Sequence, residues 1–167
     1  LISILTRGMY QDPRDTLREY VQNGVDANAQ VIDIKVRGNS IIIEDDGSGM
    51  DEATMLKAIR VGISDKNPTL DVGFRGIGIY SSFHLCDSLH IYSKSKKESP
   101  HVLVFDFKGM RDVLEQQQNA RIEEDFSGDE LVDLQTLLEM HIVLNNIDVA
   151  EFQKVVVSLV EMLNIDA

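Results

Sequence analysis

REYVQNGVDANA, residues 18–29, places an acid, an amide and a second acid, Glu19, Asn23 and Asp26, at spacings of four and three. At about 100° per residue the three fall within about 60° of one another on a helix. Leu17 and Val21 fall on the opposite side, so the spacing predicts a helix with an apolar packing stripe and a separate polar one. A solvated surface helix carries such a polar stripe by default, and so does a helix that forms the wall of a site. Upstream, Asp12-Pro13 predicts the start of this helix, with Asp12 as N-cap and Pro13 at the first helical position. The helix is expected to run to about Ala27.

Downstream, VIDIKVR (31–37) and SIIIED (40–45) predict two strands joined by a tight turn at Gly38-Asn39. DDGSGM (45–50) reads as a loop and DEATMLKAIRVG (51–62) as a short amphipathic helix that opens in acids. Residues 62–75 show little periodicity and include Pro68, which predicts a long loop. GIGIYSSFHL (76–85) has helical spacing despite its glycines. SLHIYSKS (88–95), HVLVFDFKG (101–109) and EMHIVLNNI (139–147) predict strands, and VAEFQKVVVSLVEML (149–163) predicts a closing helix. Residues 1–10 are apolar at helical spacing, while 112–138 carry no dominant pattern. Strands clustered with helices between and after them predict an α/β (α+β) two-layer sandwich.

Two further stretches carry candidate chemistry. In IIIEDDGSGM (41–50) a hydrophobic strand delivers Asp45 to a loop whose Gly47 and Gly49 allow close backbone approach. A plain strand-ending turn would look the same. The acids and glycines do not stand at the positions of an EF-hand loop. In DVGFRGIGIYSSF (71–83), Gly73, Gly76 and Gly78 open a helical pattern, and amides at such a turn form an anion cradle. The order G-x-x-G-x-G without a leading strand is not the dinucleotide fingerprint, and no G-K-[ST] follows as in a Walker loop.

Composition bounds the function. The 167 residues are expected to form one domain, with 43% hydrophobic and 26% charged residues. Net charge is −12, and from Asp112 onward thirteen acids face two basic residues, Arg121 and Lys154. Such a chain is poorly suited to broad phosphate-backbone binding, so nucleic acid is not the expected partner of this domain. A single cysteine, Cys86, fits a reducing, cytoplasmic setting, and no apolar run approaches a membrane span. The chain opens on Leu1 without a methionine, which points to a fragment of a longer protein. The four histidines have no metal-ligand spacing, Glu123-Glu124-Asp125 reads as a solvated acidic loop, and Ser81 and Ser82 lack a nucleophile-elbow context.

In this order, E-x-x-x-N-x-x-D-A, D-x-G-x-G-M at a strand end and G-x-x-G-x-G before a helix resemble the GHKL superfamily of DNA gyrase B, heat-shock protein 90, histidine kinases and MutL. The likeness is greatest to the heat-shock protein 90 branch and covers about residues 1–85, with GISDK (62–66) similar to a lid start. The resemblance implies the Bergerat ATP-binding fold, a mixed sheet backed by helices on one face, with ATP held between helices and lid. It implies a magnesium-dependent ATPase of chaperone type, slow as an isolated domain, whose nucleotide state drives lid closure. ATP and ADP are the expected ligands, client proteins and an ATP-dependent homodimer the expected partners. A histidine-kinase catalytic domain and a nucleotide-sensing module with little turnover are the alternatives.

The resemblance also assigns roles. Asn23 would hold Mg²⁺ through its amide oxygen, and Glu19, one turn earlier, would orient and deprotonate the attacking water. Asp45 would accept the adenine amine, with Gly47 in the same turn, Gly49 leaving room for a water-mediated contact and Met50 packing on the base. Asp26 would support the base side. Gly73, Gly76 and Gly78 would cradle phosphates, and Lys66 would screen charge from the lid. One departure stands out: the fourth motif usually places a threonine after a glycine at the start of a late strand. Here Glu139 and Met140 occupy those places.

Overall fold

Asp12 and Pro13 start the first described helix as their chemistry requires. The computed structural model describes residues 12–63, 78–123 and 129–155. In it, Asp12 accepts the Arg14 N–H at 2.9 Å and Pro13 opens α1, Pro13–Asp26. The helix ends where Asn28 takes the left-handed φ of +60°, a conformation asparagine tolerates. The strands β1, Ile32–Arg37, and β2, Ser40–Asp45, form an antiparallel ribbon around Gly38, whose φ is +52°.

Helix α2, Glu52–Ile63, is capped by Asp51, which accepts both the backbone N–H and the hydroxyl of Thr54 at 2.8 and 2.6 Å. A 3₁₀ turn follows at Ile79–Ser82, then β3, Ser88–Ser93, and β4, His101–Asp106. Helices α3, Phe107–Glu123, and α4, Asp129–Glu139, precede β5, Ile142–Asn146, and residues 149–155 are again helical. The second sheet has the order β3-β4-β5, and all strand pairs among the described residues are antiparallel.

The core lies between that sheet and the helices. Strand β4 turns His101, Leu103 and Phe105 inward, and its neighbours in register, Ile91 and Leu144 beside Leu103, line the same face. Against it pack Met55 and Ala58 of α2, Phe107, Met110 and Leu114 of α3, and Leu134 and Leu138 of α4. Phe105 stacks on Phe107 at 5.5 Å, with Tyr80 edge-on to Phe105 at 5.3 Å and Phe83 to Phe107 at 5.4 Å. Helices on one face of a sheet make the expected two-layer α/β arrangement.

Two expectations need correction. HVLVFDFKG stops being a strand at Asp106, whose carboxylate accepts the Gly109 N–H at 2.9 Å and caps α3. Phe107 continues the period-two alternation of Leu103 and Phe105, which is why the strand pattern overruns into the helix. On α1 the deepest burial falls on Thr16 and Gly24, not on Leu17 and Val21, which are half-buried. Of GIGIYSSFHL, residues 76–77 lie outside the described ones, Gly78 is helical, Ile79–Ser82 form the 3₁₀ turn and 83–85 are turn, in keeping with the helical expectation. Residues 112–138, unpatterned in sequence, are helical wherever described, as α3 and α4. The apolar stretch 1–10 lies outside the described residues.

Candidate functional site

Helix α1 collects three stretches that are far apart in sequence. At its middle, the Glu19 carboxylate lies against the Gly78 backbone: a Cβ at Gly78 would stand 2.9 Å from Glu19 Oε2. One turn on, a Cβ at buried Gly24 would meet the Ile32 side chain at 2.9 Å and the Asp45 Cβ at 3.5 Å. Lacking that Cβ, Gly24 lets the end of β2 come down on the helix. At the helix end, the Ser48 N–H donates to Ala27 O at 2.9 Å, and a Cβ at Gly47 would crowd Ala27 at 2.8 Å. Glu19, Asp45 and the loop after Asp45 therefore sit along one helix, with Asn23 and Asp26 between and beside them.

The polar groups differ in their surroundings. Glu19 and Asn23 are half-buried, and neither side chain has a hydrogen-bond or ion-pair partner among the described residues. Asp45 is exposed and its Oδ1 accepts the Gly47 N–H at 2.9 Å, which fixes the carboxylate at the mouth of the turn. Asp46 turns the other way and accepts the Gln30 and Val31 N–H groups at 2.7 and 2.9 Å. Those two amides hold its carboxyl below the usual carboxylate range, the Val31 amide most. Asp26 is exposed at the helix end and accepts the Gln22 amide at 2.9 Å.

The loop's second half is tied to the β3–β4 connection. Gly49 has φ +68°, and a Cβ there would overlap the Lys94 carbonyl, so both backbone conformation and close approach require glycine. The Met50 N–H donates to Ser93 Oγ at 2.7 Å while its side chain packs on the core. The Glu52 N–H donates to the Glu98 carboxylate at 3.0 Å, closing the first turn of α2. Ser93 and Glu98 are supports that sequence reasoning missed, because they act over 43 and 46 residues of chain without any local pattern.

These residues fit a nucleotide with its divalent ion. Gly47 and Gly49 keep side chains out of the turn that carries Asp45, and Glu19 and Asn23 offer an acid and a neutral oxygen on one stripe. Among the described residues no three His, Cys, Asp or Glu side chains gather as a metal cluster. The donor set suits an ion whose shell is completed by phosphate oxygens and water.

The comparison with protein families decides the class. The model described as histidine kinase-, DNA gyrase B- and HSP90-like ATPase matches residues 10–132. The chain belongs to this ATPase family. The match spans all three motifs and the helix that gathers them, and the family is one of nucleotide-binding domains. A protein from Herpetosiphon aurantiacus named "Putative type II restriction enzyme HgiDII" is 30% identical over 105 residues. That alignment takes in 58% of this chain and 17% of the relative, so the chain spans about a sixth of that protein's length.

Of the three glycines in the G-x-x-G-x-G stretch, Gly78 is the one the structure describes. Gly73, Gly76 and Lys66 lie outside the described residues, as does most of the 62–75 stretch. The fourth motif falls differently from expectation. Glu139 is the last residue of α4, Met140 stands 72% exposed in the turn, and β5 starts only at Ile142. Among the described residues no helix is long and apolar enough to cross a membrane.

Proposed function

We propose that the domain binds and hydrolyses ATP with magnesium and passes its nucleotide state to a larger protein. The carrying observation is the convergence of Glu19, Asp45 and Gly78 on one helix, with the family match over the same residues. In this reading Asp45 accepts the adenine amine with the carboxylate oxygen not engaged by Gly47, and Asp26 stands at the base side. Met50, whose side chain lies on the core, backs the base from below. Asn23 holds Mg²⁺, which when bound neutralises phosphate charge that would otherwise face an acidic wall. Glu19 orients a water and takes its proton, and the backbone at Gly73, Gly76 and Gly78 cradles the phosphates with Lys66 nearby. Residues 62–75 serve as the lid, a role supported by their length and lack of pattern in sequence.

The motifs favour the heat-shock protein 90-like branch and a cytoplasmic, client-directed protein that dimerises on ATP. The restriction-enzyme relative favours a second reading, in which the ATPase serves a DNA-directed protein. The charge of −12 then leaves DNA contact to other parts of that protein. Turnover assays with and without duplex DNA separate the two. The ATP reading itself is tested by calorimetric titration with Mg-ATP and Mg-ADP. Both should bind, and Asp45→Asn, which turns one acceptor oxygen into a donor, should weaken both by about 10-fold or more. Unchanged affinity in a folded Asp45→Asn protein would remove the adenine assignment.

A further inference from the structure

Between α1 and the 3₁₀ turn runs a seam of hydroxyl groups to which no role has yet been assigned. Thr16 Oγ1 is buried and donates to Ser81 O at 3.0 Å. Tyr20 Oη, one helical turn later, donates to Ile79 O at 3.0 Å and stands 2.6 Å from Ser82 Oγ. A carbonyl can only accept, so the single phenolic proton goes to Ile79 and the Ser82 hydroxyl donates to Tyr20. Three side-chain bonds thus fasten Ile79, Ser81 and Ser82 to α1. Buried tyrosine hydroxyls ordinarily find a partner, and one such bond would be plain packing. Here the two anchor positions flank Glu19 in sequence, and the chain they hold begins at Gly78, the backbone lying against the Glu19 carboxylate.

We propose that Tyr20, assisted by Thr16, is a positioning residue for the ATPase site: it sets the Gly78 backbone against the Glu19 carboxylate. This rests on the ATPase reading above. Neither hydroxyl reaches reacting atoms; both act through the placement of Gly78. Without them, among the described residues, the 3₁₀ turn is held to α1 by packing alone, and Glu19 loses the surface that limits its carboxylate. Burial pushes the Tyr20 phenol above its ordinary value, so it stays protonated and keeps donating throughout the working pH range.

The test compares Tyr20→Phe, Thr16→Val and Thr16→Ser in the whole protein, each by Mg-ATP titration, steady-state turnover and thermal melting. Misplacement by ~1 Å can cost on the order of 100-fold, so a partly loosened seam should lower kcat about 10-fold in Tyr20→Phe. Mg-ADP affinity should stay within about threefold, since the adenine end is untouched. Thr16→Val should lower kcat in the same sense, and Thr16→Ser, which keeps the hydroxyl, should restore it. Leu114→Ala, a core deletion in α3 away from the seam, supplies the stability control: it should lower Tm and keep kcat. Wild-type kcat in Tyr20→Phe, equal loss in Thr16→Val and Thr16→Ser, or an equal kcat loss in Leu114→Ala each overturns the proposal. If Tyr20→Phe does not fold, the Val and Ser variants at Thr16 decide. A wild-type protein that neither binds nor turns over ATP overturns the ATPase reading and the proposal together, whereas active wild type with active Tyr20→Phe removes the proposal alone.

Discussion

At the scale of single residues, Glu19 carries the sharpest expectation. Its carboxylate is half-buried, unpartnered among the described residues and in contact with Gly78. Glu19→Ala should bind Mg-ATP as well as or better than wild type, because a negative charge near the terminal phosphate is removed. Its turnover should fall by ~10²–10⁴, the usual loss with a general acid–base group. Loss of binding together with turnover would make Glu19 structural. Glycine residues were only half legible at this scale. The sequence marked Gly47 and Gly49 as special, but their reasons are the approach of Ala27 and of Lys94, and Gly49 needs its positive φ. Those neighbours come from remote segments, which no local spacing encodes.

At the scale of elements, caps and periods were readable and seams were not. Asp12-Pro13 and the Gly38 turn act over two or three residues, so their chemistry is complete in the sequence. The Asp106 cap was hidden because the aromatic alternation continues through it. Asp106 also accepts a hydrogen bond from the His141 ring at 3.0 Å, joining the starts of α3 and β5 beneath Gly109, where any Cβ would overlap both groups. The Gly109 N–H, then His141, hold the Asp106 carboxyl below the usual carboxylate range. A carboxyl depressed in the folded state stabilises above its unfolded value of about 3.9, and this is lost as pH falls through the lower folded value. Asp106→Asn keeps a capping oxygen but not the charge. Its melting temperature should lie slightly below wild type at neutral pH, and its decline below about pH 4 should be shallower. Parallel melting curves for the two proteins across that range would show that the Asp106 charge contributes nothing.

At the scale of the whole molecule, net charge sets how an anionic ligand can be held. In the proposed ATP site the ligand approaches a chain of charge −12 past Glu19, Asp26 and Asp45, so affinity should depend on magnesium. Chelating the metal should weaken ATP more than ADP, and Asn23→Ala should weaken Mg-ATP while changing metal-free ADP binding little. Equal losses with and without metal in Asn23→Ala would assign the amide another role. The sequence by itself determined the class of fold, from the order of its elements, and the N-cap of α1, the β1–β2 hairpin and the three motifs, because each of these is a pattern within about a dozen residues. Only the tertiary structure decided that the motifs meet on α1. It also decided that the packing line of α1 runs through Thr16, Tyr20 and Gly24 rather than Leu17 and Val21. Thr16 and Tyr20 are polar and Gly24 has no side chain, so hydrophobic periodicity cannot see the line: the first two bond to carbonyls of a 3₁₀ turn about 60 residues away, Gly24 meets Ile32 and Asp45, and only folding brings them there.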